Sequence, residues 1–75
     1  MPLIEVKLLE NVFSGAQKRE MIERLTNVVV ELEGEYVRPV TVVTVEEVAS
    51  GSWGFGGNAL TTEDVAALKA AAAAA

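Results

Sequence analysis

The stretch Val40-Thr41-Val42-Val43-Thr44-Val45-Glu46-Glu47-Val48 constrains this chain most, because seven of its nine residues are β-branched. Branching at Cβ stiffens the side chain and suits a pleated, packed surface, so the run predicts a strand buried on both faces for most of its length. Upstream, Ile4, Val6 and Leu8 alternate with Leu3, Glu5, Lys7 and Leu9. That period of two predicts a strand over residues 2–10 with one buried face. A single helix-length segment separates the two strands, and strand, helix, strand in that order gives a right-handed crossover with the strands parallel. Two parallel strands cannot stand alone in water. The fold class is therefore α/β, a short β-α-β subunit that must find further strands outside itself.

The helix declares its own start. Ser14-Gly15-Ala16-Gln17 fits a capping box, in which the Ser14 hydroxyl takes the Gln17 N–H and the Gln17 side chain reaches back. Met21, Leu25, Val28, Val29 and Leu32 then recur at helical spacing, widened by Ile22, and predict a face that packs on a sheet. Lys18, Arg19, Glu20, Glu23, Arg24 and Glu31 read as solvated surface, with Arg19/Glu23 and Glu20/Arg24 four apart. Gly34 can take the left-handed conformation that ends a helix, and Glu35-Tyr36-Val37-Arg38-Pro39 reads as a linker to the second strand. Val12-Phe13 in the first loop reads as a lid on the core. After a turn at Ala49-Ser50-Gly51-Ser52, the glycines and aromatics of Trp53-Gly54-Phe55-Gly56-Gly57-Asn58 predict a short hairpin or clasp. Thr61-Thr62-Glu63-Asp64 is a second capping-box-like start, for a short helix carrying Val65 and Leu68. The alanine tail of residues 70–75 is given no function.

Seventy-five residues suffice for one small domain over residues 1–75. A two-layer core of this size usually only breaks even against chain entropy, and small domains escape through disulfides, metals or assembly. With no Cys and no His, disulfides are impossible and a structural zinc site lacks its usual ligands; no metal or cofactor is expected. Assembly remains, and 51% hydrophobic content suits it. Eleven acidic residues against six basic ones give a net charge of −5, which argues against nucleic acid as partner. There is no signal-peptide pattern, membrane-spanning run or basic amphipathic helix, so no membrane partner is expected and the reading is cytoplasmic.

Pro2 is the candidate catalytic residue. Methionine is commonly trimmed before a small residue, and trimming would leave Pro2 with a free secondary amine, a base or nucleophile. An α-amino group titrates near ~7.7–8.0, so modest desolvation leaves a useful neutral fraction at physiological pH. From position alone, Pro2 starting a strand is the simpler reading.

The order Met1-Pro2, alternating strand, Gln17-Lys18 helix, β-branched parallel strand and Gly51-Ser52-Trp53-Gly54-Phe55-Gly56-Gly57 resembles the 4-oxalocrotonate tautomerase family over about residues 2–60. The resemblance implies a β-α-β subunit assembling as a homo-oligomer, a hexamer built as a trimer of dimers, with Pro2 as general base for keto–enol proton transfer on a small, carboxylated carbonyl compound. Relatives use the same proline for dehalogenation or decarboxylation. The family's tautomerases place one arginine in a Glu-Gly-Arg-Ser setting, where this chain has Glu10-Asn11-Val12-Phe13-Ser14. Their second arginine, supplied by a neighbouring subunit, falls on about Val42. Arg38 is the substitute this sequence offers for holding a carboxylate, against a reading in which it pairs with Glu35 or with another subunit. Trp53 occupies the family's aromatic position near the proline, where it would dry the pocket or pack an interface, and Phe13 is a further candidate for substrate contact. The alternative function is a non-catalytic or small-ligand-binding oligomer on the same scaffold.

Overall fold

The computed structural model describes residues 1–74. In chain order it contains strand β1 (Leu3–Leu9), helix α1 (Gly15–Glu33), a 3-10 turn (Glu35–Val40), strand β2 (Val42–Val48), strands β3 (Trp53–Phe55) and β4 (Asn58–Leu60), and helix α2 (Thr62–Ala74). β1 pairs with β2, and β3 with β4. The described residues fall into two compact units, one of residues 1–7 and 14–46, the other of residues 8–13 and 47–74.

In the first unit, β1 begins where the Pro2 carbonyl accepts the Val42 N–H at 2.9 Å. The expected alternation holds from Leu3 to Leu8, with Ile4, Val6 and Leu8 half-buried and Leu3, Glu5 and Lys7 exposed, but it breaks at Leu9, which was expected on the exposed face and is buried. The capping box of α1 forms as the sequence predicts, with Gln17 N–H on Ser14 Oγ at 3.1 Å and Ser14 N–H on Gln17 Oε1 at 2.8 Å. Gly34 ends the helix by donating its N–H to Val30 C=O at 2.7 Å. Its φ of 112° is positive, but ψ of 163° lies outside the left-handed helical well expected for it. This is backbone that glycine alone adopts readily.

The predicted linker is instead a 3-10 turn containing Pro39. It closes when Thr41 donates its N–H to Arg38 C=O at 3.3 Å and its hydroxyl to Val37 C=O at 2.7 Å. Val40 and Thr41 are therefore taken up by the turn, and β2 starts at Val42 rather than Val40. α1 packs against this turn, and Val30 and Val37 are the buried apolar residues of the unit. The helix face also differs from expectation. Met21, Leu25 and Val29 are half-buried as predicted, but Ile22, Val28 and Leu32 are exposed, Leu32 at 82%, and Lys18 is half-buried.

β2 is not buried on both faces within this chain. Val42 is 41% exposed, and no residue of the strand reaches full burial. A two-stranded sheet leaves an edge and a face of each strand without cover, so the β-branched composition exceeds what one chain can bury.

In the second unit, the ends of the long strands pair through Glu10 N–H to Val48 C=O at 2.8 Å. Both strand ends thus run in the same direction, as the crossover requires. The clasp is a two-residue hairpin: Trp53 faces Leu60, Phe55 faces Asn58, and Gly56 and Gly57 at φ of 56° and 87° form the bend. Positive φ at both central positions is what a type I′ turn needs. Asp64 and Thr61 cap α2 reciprocally, with Thr61 N–H on Asp64 Oδ2 at 2.9 Å and Asp64 N–H on Thr61 Oγ1 at 3.2 Å. Three bonds tie the unit together: Ser50 N–H to Glu10 Oε1 at 2.7 Å, Thr62 N–H to Ser50 Oγ at 2.9 Å, and Thr62 Oγ1 to Glu10 C=O at 3.1 Å. No helix among the described residues is long and apolar enough to cross a membrane.

The two glycines that bracket α1 should respond oppositely to alanine. A Cβ at Gly34 would force strained backbone and come within 3.3 Å of the Tyr36 ring, so Gly34→Ala is expected to lower stability by about 1–3 kcal/mol. Gly15 has ordinary backbone and its added Cβ meets only Arg19 Nη1 at 3.6 Å. Gly15→Ala should be neutral or slightly stabilising. Urea denaturation of both variants at one protomer concentration checks the contrast, which equal losses would contradict.

Candidate functional site

The first unit holds two of the candidate residues. Pro2 is half-buried one residue before β1, and its bond to Val42 fixes it against the start of β2. Its nitrogen is joined to Met1 in an amide and in that form has no basicity. Met1 is 92% exposed, which leaves the bond between them accessible from solvent.

Arg38 sits in the 3-10 turn that leads into β2. In a 3-10 helix the side chains at i and i+3 eclipse, so Glu35 and Arg38 share one face. Arg38 donates from Nε to Glu35 Oε2 at 2.9 Å and from Nη2 to Glu35 Oε1 at 3.2 Å, a two-pronged grip on the carboxylate. Nη1 donates to Asn27 Oδ1 of α1 at 2.9 Å. The hydrogen bonds from Arg38, and then its charge, hold the Glu35 carboxyl below its ordinary range. The same bonds raise Arg38 above its own. The guanidinium is thus engaged on both of its working edges by residues of its own unit.

Other cations are committed too. Lys7 pairs with Glu46 of β2 at 3.3 Å rather than with an acid of its own strand, and Arg24 pairs with Glu20 as the spacing predicts. Among the described residues no three His, Cys, Asp or Glu side chains converge as a metal site.

Trp53 and Phe13 belong to the second unit, and both are half-buried. Trp53 opens β3 opposite Leu60, whereas Phe13 lies in the loop that precedes α1. Sequence reasoning missed Asn27 as a partner of Arg38, since nothing in a residue eleven positions upstream signals that contact. It also missed a hollow of about 210 Å³ lined by Asn11, Val12, Thr62, Val65, Ala66 and Lys69. The hollow exists only because the first loop and α2 come together in this unit.

Comparison with known proteins gives consistent matches. A family model described as tautomerase enzyme matches residues 2–63. The chain is 30% identical over 61 residues to a protein of Dickeya dadantii named probable tautomerase K2, covering 81% of this chain and 90% of that one. Among solved structures it is similar to TomN, a 4-oxalocrotonate tautomerase homologue in the tomaymycin biosynthetic pathway, with 33% identity and a TM-score of 0.70 over 92% of this chain and 95% of that one. It is similar also to DmpI from Helicobacter pylori, with 28% identity and a TM-score of 0.69 over 79% of this chain and 95% of that one.

The Arg38–Glu35 pair carries a pH signature. Because the folded carboxyl protonates at lower pH than an unfolded one, the pair's contribution to stability is complete above the ordinary glutamate value and fades as pH falls through the lowered folded value. A carbon-detected NMR titration is expected to show Glu35 below an ordinary glutamate midpoint, moving back up in Arg38→Ala. A midpoint that the variant leaves in place would mean that Arg38 is not the cause.

Proposed function

Because the chain belongs to the tautomerase family, we propose that it is an isomerase in which Pro2, freed by removal of Met1, serves as general base for keto–enol proton transfer on a small carboxylated carbonyl compound. The observation that carries this reading is that the family match begins at residue 2, so that Pro2 is its first position. Half-burial supports it, since partial desolvation disfavours an ammonium and keeps a share of a freed amine neutral. The amine takes a proton from the carbon beside the carbonyl and returns it at another carbon of the conjugated system. The backbone bond to Val42 would hold it still while it does so. Trp53 and Phe13 are proposed to contact the apolar part of the substrate.

Arg38 is the proposed carboxylate anchor. Its forked bonding to Glu35 demonstrates the geometry it would offer a substrate, and binding would exchange one carboxylate for another. That exchange also motivates a second reading. If Glu35 and Asn27 keep the guanidinium for themselves, no cation anchors the substrate, and the chain is a ligand-binding member of its family without turnover.

The chain is further proposed to act in the cytoplasm as a homo-oligomer, a hexamer of three dimers. Among the described residues only Leu9, Val30 and Val37 are buried apolar side chains, while Leu3, Val28, Leu32, Tyr36, Val42 and Phe55 stay exposed. Such apolar exposure in a chain this short suits burial against further copies. Sedimentation at micromolar concentration is expected to show the assembly, and a stable folded monomer would remove it.

A kinetic test separates the two functional readings. Protein whose intact mass shows Met1 removed is assayed on 2-hydroxydienoates and phenylpyruvate, and Pro2→Ala is expected to slow turnover with fold and assembly unchanged. Arg38→Ala should reduce kcat/KM for the carboxylates by roughly ten- to a hundredfold, with Arg38→Lys recovering part. Turnover indifferent to Pro2 would exclude it as the base. Equal loss on an uncharged ketone would make Arg38 a structural residue.

A further inference from the structure

We infer that the hollow between the first loop and α2 is a binding site for a small monocarboxylate with a short apolar body. It shares no residue with Pro2, Arg38, Trp53 or Phe13, and it stands whether or not the proton-transfer reading does. Its volume of about 210 Å³ lies below the ~300–1,000 Å³ of pockets that take drug-sized ligands. Only a compact body fits.

The lining divides by chemistry. Val12, Val65 and Ala66 supply an apolar floor, and Asn11, Thr62 and Lys69 supply the polar groups. The Thr62 hydroxyl already donates to Glu10 C=O at 3.1 Å, so it has no hydrogen left for a ligand. The Asn11 carboxamide and the Lys69 ammonium have no partner among the described residues and are the remaining donors. Both donate to an anion.

Lys69 is solvent-exposed in a chain of net charge −5, and three acids of the same unit are engaged elsewhere. Glu10 accepts the Ser50 N–H, Glu47 accepts the Asn11 N–H at 3.3 Å, and Asp64 accepts the Thr61 N–H. Each of these carboxylates is turned onto a backbone amide, and no acid lines the hollow. The Glu47 bond also fixes Asn11 at its φ of 60°, a conformation that asparagine tolerates better than most residues. The anion donors therefore sit on a loop held by hydrogen bonding at one side and on a capped helix at the other. An isolated phosphate or sulfate would leave the apolar floor in contact with water, and a neutral hydrocarbon would leave Lys69 unanswered. A carboxylate on a branched or aromatic body satisfies both.

The test uses benzoate as probe in a proton–nitrogen NMR titration of the full chain, with benzamide as its uncharged counterpart. The expected result is a saturable shift of the Asn11, Val12 and Val65–Lys69 amides with benzoate. Lys69→Gln and the change to benzamide should each weaken binding about tenfold or more, the effect of losing a charge-assisted hydrogen bond. Ala66→Phe, a substitution at an exposed helix position, should fill the hollow and abolish binding, while Lys7→Gln should leave it unchanged. The inference is overturned if benzoate gives no saturable shift at these amides, if benzamide binds as well, or if both Lys69→Gln and Ala66→Phe bind like the unaltered chain. Loss of tautomerase activity in Pro2→Ala with benzoate binding intact would separate this site from the proposed catalytic one.

Discussion

The parallel ladder between β1 and β2 is the constraint from which the other features follow. Its first described bond, Val42 N–H to Pro2 C=O, and its last, Glu10 N–H to Val48 C=O, are both short. A parallel pair cannot be closed by a tight turn, so the chain between the strands must travel the length of the sheet and return. α1 makes that return in 19 residues, and the 3-10 turn brings it to the level of Pro2. Pro2 is thereby tied to the start of β2 through its carbonyl.

Carboxylates in this chain are used chiefly as acceptors for its own donors. Glu10, Glu47 and Asp64 hold backbone amides, and Glu35 holds the guanidinium of Arg38. Most are solvent-exposed, so each contributes modestly to stability. Their collective effect is on availability. Arg38 is already answered by an internal anion, whereas Lys69 has no ion-pair partner among the described residues. Local pairing, rather than the overall negative charge, sets which cations remain available.

The sequence rendered its local features well and its nonlocal ones poorly. The capping boxes at Ser14 and Thr61 and the Gly56-Gly57 bend each depend on residues within a few positions of one another and took the form expected, as did the alternation in β1 as far as Leu8, before the buried Leu9 breaks it. The 3-10 turn was read as linker because Pro39 signals only that an α-helix cannot continue, and the Thr41 hydroxyl that closes the turn looks from sequence like one more strand residue. The exposure of Val28, Leu32 and Val42 could not be read either, because apolar spacing records that a side chain will be covered without recording which chain covers it. Of the proposed site, Pro2 was nominated from position and family pattern together. Asn27 beside Arg38 and the hollow beside Lys69 arise only once distant segments meet.

The bond between Pro2 and Val42 also has a meaning in time. Helix α1 and the β3–β4 hairpin close over short sequence separations, on microsecond scales, but the carbonyl of Pro2 must wait for a partner roughly forty residues downstream. At ribosomal speeds that separation corresponds to a delay on the order of seconds. Throughout that interval the strand that will hold Pro2 is unpaired. The topology that later ties the proline to Val42 is the same one that makes its pairing wait for most of the chain.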